Sequence, residues 1–143
     1  MASNQLDQAA ANKALVERRF EAAMNGDRET VATLQTEGYT VEFSYGHPAE
    51  GTFQGKEQIA AARGRMLSLL GITGFRVDEV IAEGPHRVIA LAGAEGTDAA
   101  GEPWSMELFE VLTVVDGLVA EERLLFKDTA RLREIARARE EAA

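Results

Sequence analysis

Three segments within the first 70 residues have apolar side chains at the spacing of helices. One stripe runs from about residue 12 to residue 24 and consists of Val16, Phe20, Ala23 and Met24. A second, short helix is predicted to begin after Asp27, whose carboxylate can accept the free N–H groups of a first turn, and to end at Gly38. A third is predicted over residues 56–70, where the apolar positions are Ile59, Met66, Leu67 and Leu70.

The remaining pattern is that of strands. Residues 40–45 alternate, which predicts a strand whose buried face is formed by Val41, Phe43 and Tyr45. An irregular, glycine-rich loop is expected over residues 46–55. Four further strands are predicted over residues 75–82, 87–94, 104–115 and 118–126. The last two should form a tight hairpin, because Asp116-Gly117 suits the two positive-φ positions of a type I′ turn.

A C-terminal helix is predicted after Asp128, with Leu132 and Ile135 on its apolar side. The order of elements, with helices around one strand followed by four strands in succession, indicates the α+β class. We therefore expect one domain over residues 12–136, a flexible tail over residues 1–11 and a frayed tail over residues 137–143.

The composition of the chain excludes or disfavours several kinds of functional site. The 143 residues include no cysteine, which rules out disulfides and thiolate chemistry, and the formal charge of −9 disfavours nucleic acid. His47 and His86 show no metal-ligand spacing, and the glycines form no phosphate-binding loop, so neither a metal nor a cofactor is expected. The N-terminus lacks the features of a secretory signal and no stretch could span a bilayer, so we expect a cytoplasmic protein without membrane contact.

Three stretches carry a resemblance to a known family: VERRFEAAMNGD at 16–27, TVEFSYG at 40–46 and DGLVAEERLLF at 116–126. Together with the order of elements, they resemble the nuclear-transport-factor-2-like superfamily, in its ketosteroid isomerase and polyketide cyclase (SnoaL-like) branch, over residues 12–132. The resemblance implies a cone-shaped, curved sheet, mixed or antiparallel, wrapped by three N-terminal helices, with an additional C-terminal helix. It also implies a pocket for an apolar small molecule and homodimerisation through the sheet faces.

The catalytic residues of that branch are only partly matched. Phe43 stands where ketosteroid isomerases have a general-base Asp, and Arg19 stands where they have a hydrogen-bonding Tyr. Leu124 occupies the position of the last Asp in the Asp-Arg-Asp arrangement of limonene-type epoxide hydrolases. The resemblance therefore predicts a pocket without assigning a reaction.

Glu110 is the principal candidate for catalysis. It is the only charged member of an otherwise apolar row on one face of its strand, formed by Trp104, Met106, Leu108, Leu112 and Val114. If that row faces the interior, burial raises the pKa of the carboxyl group toward the range useful for proton transfer. Arg19 and Arg63 lie on the apolar stripes of their helices, so each could bind a negatively charged substrate group or neutralise Glu110.

Other residues are candidates for ligand contact. Tyr45 shares the inward parity of Phe43, and His47 could act as a general base at the mouth of the cone. Glu122 is expected at the rim. Trp104, Met106, Leu108, Leu124 and Phe126 are expected to form the wall of the cavity or the core, two roles that the pattern does not separate.

Three functions fit these residues. The first is an isomerase or cyclase acting on an apolar cyclic or polyketide-like substrate, with Glu110 as acid or base and Arg19 stabilising negative charge. The second is an epoxide-opening hydrolase or cyclase, which requires a second carboxylate such as Glu95 or Glu122. The third is a ligand-binding or dimerisation module without catalysis. An apolar outer face at Phe109, Val111 and Val115 supports the expected homodimer.

Overall fold

The computed structural model describes residues 2–143 and contains four helices and six strands. The helices are α1 (Ala2–Met24), α2 (Arg28–Thr33), α3 (Lys56–Leu70) and α4 (Thr129–Ala142). The strands are β1 (Gln35–Phe43), β2 (Gly51–Gln54), β3 (Ile72–Glu83), β4 (Arg87–Thr97), β5 (Pro103–Val115) and β6 (Leu118–Phe126).

The strands form one curved sheet in the order β2-β1-β6-β5-β4-β3. Neighbouring strands are antiparallel except β1 and β6, which are parallel, so the sheet is mixed. Irregularities in register within β1, β3 and the β5–β6 pair bend the sheet. The α+β class and the cone-shaped curved sheet with its helices are confirmed.

The strongest local predictions hold. Asp116 and Gly117 have φ values of 51° and 75°, as the predicted hairpin turn requires. Helix α3 covers the predicted residues and ends where Gly71 takes the left-handed conformation at φ 61°. Strand β6 also has the predicted bounds.

Other bounds differ from the prediction. Helix α1 begins at Ala2, because the alanine-rich segment before residue 12 favours helix without an apolar stripe. Residues 2–11, predicted as a flexible tail, are therefore helical, and α4 likewise continues to Ala142. The flexibility of both ends and the extent of the domain stay predictions.

The segment between α2 and α3 was predicted only in part, because the strand expected over residues 40–45 is the second half of β1 but the elements around it differ. Helix α2 ends at Thr33, and Gly38, expected to end it, lies inside β1, which begins at Gln35. The expected loop over residues 46–55 contains the short edge strand β2, which pairs with β1 from Thr40 to Phe43. Edge strands of this length carry too few residues for a visible alternation.

The core lies between the inner face of the sheet and the helices. Its largest fully buried side chains include Phe43, Met66, Leu70, Leu108, Leu112 and Leu124. Helix α4 adds Leu132, Ile135 and Ala136 to the same cluster and contacts α3. Within residues 2–143, no helix is both long and apolar enough to cross a bilayer.

Candidate functional site

Two glutamates lie on the inner face of the sheet, on neighbouring strands. Glu110 of β5 is 8% exposed and Glu122 of β6 is 2% exposed, so the inward parity predicted for Glu110 is confirmed. In the antiparallel register Glu110 is opposite Leu124 and Glu122 is opposite Leu112. The two glutamates are therefore diagonal neighbours on one face, close enough for each carboxyl group to shift the pKa of the other.

Glu122 is the centre of a polar cluster, which we define as Glu122, Glu110, Arg19, Arg63 and Tyr39. The Oε2 atom of Glu122 accepts hydrogen bonds from Nη2 of Arg19 at 3.2 Å and from Nη2 of Arg63 at 3.0 Å. It also accepts one from the hydroxyl of Tyr39. The cluster joins residues from α1, α3, β1, β5 and β6.

The two arginines of the cluster differ in exposure. Arg19 is 4% exposed, and its Nη2 also donates to the Tyr39 hydroxyl at 2.5 Å and to Oε1 of Gln35 at 3.3 Å. Among residues 2–143, no acceptor reaches its Nε. The side chain of Arg63 is 37% exposed and donates to the Tyr39 hydroxyl at 3.1 Å. Arg63 is therefore where the cluster meets solvent.

The surroundings of the two carboxyl groups in the cluster shift their pKa values in opposite directions. Burial, followed by the negative charge of Glu122, raises the pKa of Glu110 well above its usual value. Burial acts to raise the pKa of Glu122 too, but the charges of Arg19 and Arg63 outweigh it and lower that pKa. Of the two carboxyl groups, Glu110 therefore keeps its proton to the higher pH, and Glu122 is the one that ionises first.

The neighbouring groups respond to the ionised Glu122. Burial and the charge of Glu122 raise the pKa of Tyr39, so its hydroxyl remains a donor. Burial acts to lower the pKa of both arginines, but the nearby Glu122 carboxylate raises it, and both stay charged. The predicted partner of Arg19 was Glu110, whereas its direct partner is Glu122.

His47 lies inside the protein rather than at the mouth of the cone. It is 2% exposed, and its ring lies 5.1 Å from both the Phe43 and the Phe126 ring centroids. Its Nδ1 accepts a hydrogen bond from the backbone N–H of Ala49 at 2.9 Å, which assigns the ring proton to Nε2. Burial lowers the pKa of His47 to about 4, so a neutral imidazole replaces the expected solvated base.

The tyrosine that faces the interior is Tyr39 and not the predicted Tyr45. Tyr45, predicted to face inward, is 91% exposed, because β1 ends at Phe43 and the following turn, closed by the His47 N–H to Ser44 carbonyl hydrogen bond, breaks the alternation. Tyr39 has the inward parity instead and belongs to the cluster. The sequence contained this signal, since positions 39, 41 and 43 alternate, but the predicted strand began one residue too late.

The other candidate residues lie where the parity placed them. The inner-face residues Phe43, Trp104, Leu108, Leu124 and Phe126 are buried in the core cluster, and Met106 packs against it. Glu122, expected at the rim, is fully buried because two arginines neutralise it. Whether any of these side chains contacts a ligand stays a prediction.

Two depressions lie away from the cluster. One, of about 150 Å³, is on the outer face of the sheet and is lined by Glu107, Leu108, Phe109, Leu125 and Lys127. The other, of about 230 Å³, lies between α1 and β3 beside Phe20 and Val80.

The sequence and the fold of this chain are similar to those of known proteins. The SnoaL-like domain family matches residues 16–122, whereas no curated protein matches the chain. Bal32a, from a soil-derived mobile gene cassette, is 23% identical, with a TM-score of 0.77 over 90% of this chain and 98% of its own. TerC, co-crystallised with polyporic acid, is 20% identical, with a TM-score of 0.73 over 89% and 98%.

A third solved structure is similar to a comparable extent. A candidate SnoaL-like polyketide cyclase from Jannaschia sp. CCS1 is 23% identical, with a TM-score of 0.68 over 90% of this chain and 93% of its own. At these identities the similarity to all three structures establishes a shared fold.

Proposed function

Because the chain belongs to the SnoaL-like domain family, whose members include polyketide cyclases and isomerases, we propose that it is an enzyme of acid–base chemistry. Its substrate is an apolar cyclic or polyketide-like molecule, which it isomerises or cyclises. The observation that carries this proposal is the buried pair of carboxyl groups on one face of the sheet, in which Glu122 is bound by Arg19 and Arg63 while burial raises the pKa of Glu110.

Glu110 is the proposed general acid. In an aldol-type cyclisation it gives its proton to the oxygen of the attacked carbonyl group as the new carbon–carbon bond forms. Arg63 and Arg19 lower the pKa of Glu110 against the effects of burial and Glu122, and so stabilise the carboxylate that the transfer leaves behind. The attacking carbon is that of an enol, and the Glu110 carboxylate accepts the hydroxyl proton that this enol releases when its own carbonyl group forms, which returns the enzyme to its starting state.

The apolar inner face supplies the proposed contacts to the body of the substrate. Leu124 lies opposite Glu110 in the register, and Leu108 is the preceding inward-facing residue of β5. The same surface is extended by Phe43, Trp104, Met106 and Phe126. The half-exposed Arg63 marks the side from which a substrate would reach Glu110.

A matched pair of variants on one strand tests this function. Glu110→Gln keeps the size of the side chain but removes its transferable proton, so turnover should fall by about a hundredfold or more, with little change in melting temperature. The control is Glu107→Gln, three residues away on the same strand, because Glu107 is exposed on the other face. Turnover of polyketide-like carbonyl compounds would be followed by mass spectrometry. Unimpaired turnover in Glu110→Gln would remove Glu110 from the mechanism.

A specific observation favours epoxide opening as the second candidate. That reaction needs two carboxyl groups within reach of one ligand, and Glu122 meets this requirement beside Glu110. Glu95, the other predicted partner, is exposed on β4 and does not. Incorporation of labelled oxygen from water into a diol product would distinguish epoxide opening from cyclisation.

Ligand binding without turnover across such a panel would identify a binding module instead. We further propose that the protein is cytoplasmic and forms a homodimer through the outer face of the sheet, where Phe109 is 48% exposed.

A further inference from the structure

Strand β3 has one free side. It is the last strand of the sheet and pairs only with β4. In an antiparallel pair, every second residue directs its N–H and C=O groups away from the partner strand. No other strand of residues 2–143 lies on that side, so β3 presents a row of backbone donors and acceptors along its 12 residues. A further extended segment can pair with this edge.

A groove lies beside this strand, between it and α1. It has a volume of about 230 Å³, and its apolar residues are Phe20 and Met24 of α1 and Val77 and Val80 of β3. Met24 is 57% exposed. Phe75, which precedes Val77 by two residues on the same face of β3, is 40% exposed and extends the apolar surface. The groove therefore offers apolar contacts next to the free backbone groups.

The charged residues of the groove are all acidic. They are Glu17 and Glu21 of α1 and Asp78 and Glu79 of β3. Arg76 binds Asp78 at 3.1 Å, but the part of the chain that the structure describes supplies no ion-pair partner for the other three. Glu17 and Glu21 are one helical turn apart, where like charges repel each other. A second copy of this edge would add negative charge, whereas a basic segment neutralises it.

We propose that the α1–β3 groove, formed by these residues of α1 and β3, binds an extended basic segment of another protein. The segment has Lys or Arg at every second position and adds to the sheet as a strand beside β3. Backbone pairing provides affinity, and the side chains on one face of the segment provide specificity. The aliphatic stem of each basic side chain lies on Phe20 and Met24, while its charged end reaches Glu17 or Glu21. No residue of the groove belongs to the polar cluster, so this inference goes beyond the proposed function and does not depend on it.

Calorimetric titration of the full chain with end-blocked peptides tests the pairing. The probe is TKTKTKT, in which threonine favours an extended strand and lysine occupies every second position. We expect it to bind at low ionic strength, and the matched peptide TETETET not to bind. Two further forms of TKTKTKT are N-methylated on the backbone, one at every threonine and the other at every lysine. Only one of these two sets of N–H groups faces β3 in a paired strand, so one form should lose binding and the other should retain it.

Two double variants that change the charge equally locate the site. Glu17→Gln with Glu21→Gln should weaken binding of TKTKTKT about fivefold, because it removes the partners of two exposed ion pairs. Glu140→Gln with Glu141→Gln, at exposed positions of α4, should leave binding unchanged. The proposal is overturned if TKTKTKT does not bind, if TETETET binds equally well, or if the two N-methylated forms behave alike. It is also overturned if both double variants weaken binding equally, since that would indicate a general attraction to the acidic protein.

Discussion

At the scale of single residues, two chemically identical side chains have different pKa values because their surroundings differ. Glu110 and Glu122 lie diagonally on one face, yet the pKa of the first is raised and that of the second is lowered, because Arg19 and Arg63 both bind Glu122 directly. Strand parity was sufficient to predict the inward position of Glu110. It could not predict the partner of Arg19, since the two residues are 103 positions apart in sequence.

His47 gives a prediction about stability at acidic pH. Its pKa in the folded protein is about 4, below its ordinary 6.5, so between these values the unfolded chain binds more protons. The free energy of unfolding should therefore fall as the pH drops through this window, by about 3 kcal/mol in total. Urea unfolding measured from pH 8 to pH 4 checks this loss.

The variant His47→Asn isolates that contribution. Its Oδ1 atom can replace Nδ1 as acceptor for the Ala49 N–H, but it does not titrate in this range. The difference in stability between wild type and variant should be constant above about pH 7 and should shrink below it. A constant difference at every pH would show that the imidazole has the same pKa in the folded and the unfolded chain, which would contradict the effect of burial.

At the scale of elements, prediction succeeded where local rules act alone. Helix α3 and the β5–β6 hairpin depend on apolar period, a left-handed glycine and a two-residue turn, all visible in the sequence. The first half of β1 depends on pairing with β6, which is distant along the chain, so local rules could not predict where β1 begins. Strand β2 pairs with its sequence neighbour β1 but has only four residues, too few for a visible alternation.

Two glycines in surface positions should respond oppositely to the same substitution. Gly64 lies within α3 and Gly117 in the hairpin turn at φ 75°, and a Cβ at either position would meet nothing within 4 Å. Gly64→Ala should therefore stabilise the protein by about 0.5–1 kcal/mol through helix propensity. Gly117→Ala should destabilise it by about 1–2 kcal/mol, because alanine disfavours positive φ. Chemical denaturation measures both, and equal effects would contradict the assigned turn.

At the scale of the whole molecule, the polar cluster exists only because the sheet closes around it. Its five residues come from five elements, and the parallel pairing of β1 with β6 brings Tyr39 beside Glu122. The family resemblance implied the cone and one member of the cluster, Arg19, but not the cluster as a whole, because its other catalytic positions are Phe43 and Leu124 here. The polar cluster is therefore visible only in the contacts of the folded chain.

The outer face of the sheet leads to a prediction about assembly. Ile81, Ile89 and Val111 are aligned across β3, β4 and β5 on that face, and Leu91, Phe109 and Leu125 are aligned beside them. Two copies of this apolar surface can pack together about a two-fold axis, which removes it from water. Light scattering coupled to size-exclusion chromatography should therefore give twice the mass of one chain.

One substitution at the centre of that face should abolish the dimer. Phe109→Glu places two like charges near the symmetry axis of an interface that excludes water, so the variant should elute as a folded monomer. Leu67→Glu is the matched control, because Leu67 is 41% exposed on α3, away from the sheet, compared with 48% for Phe109. If the wild type is monomeric throughout a concentration series, or if both variants dissociate equally, the outer face is not the interface. If only Phe109→Glu dissociates and its far-ultraviolet circular dichroism matches that of the wild type, the outer face joins the two copies and the fold of each copy does not depend on that contact.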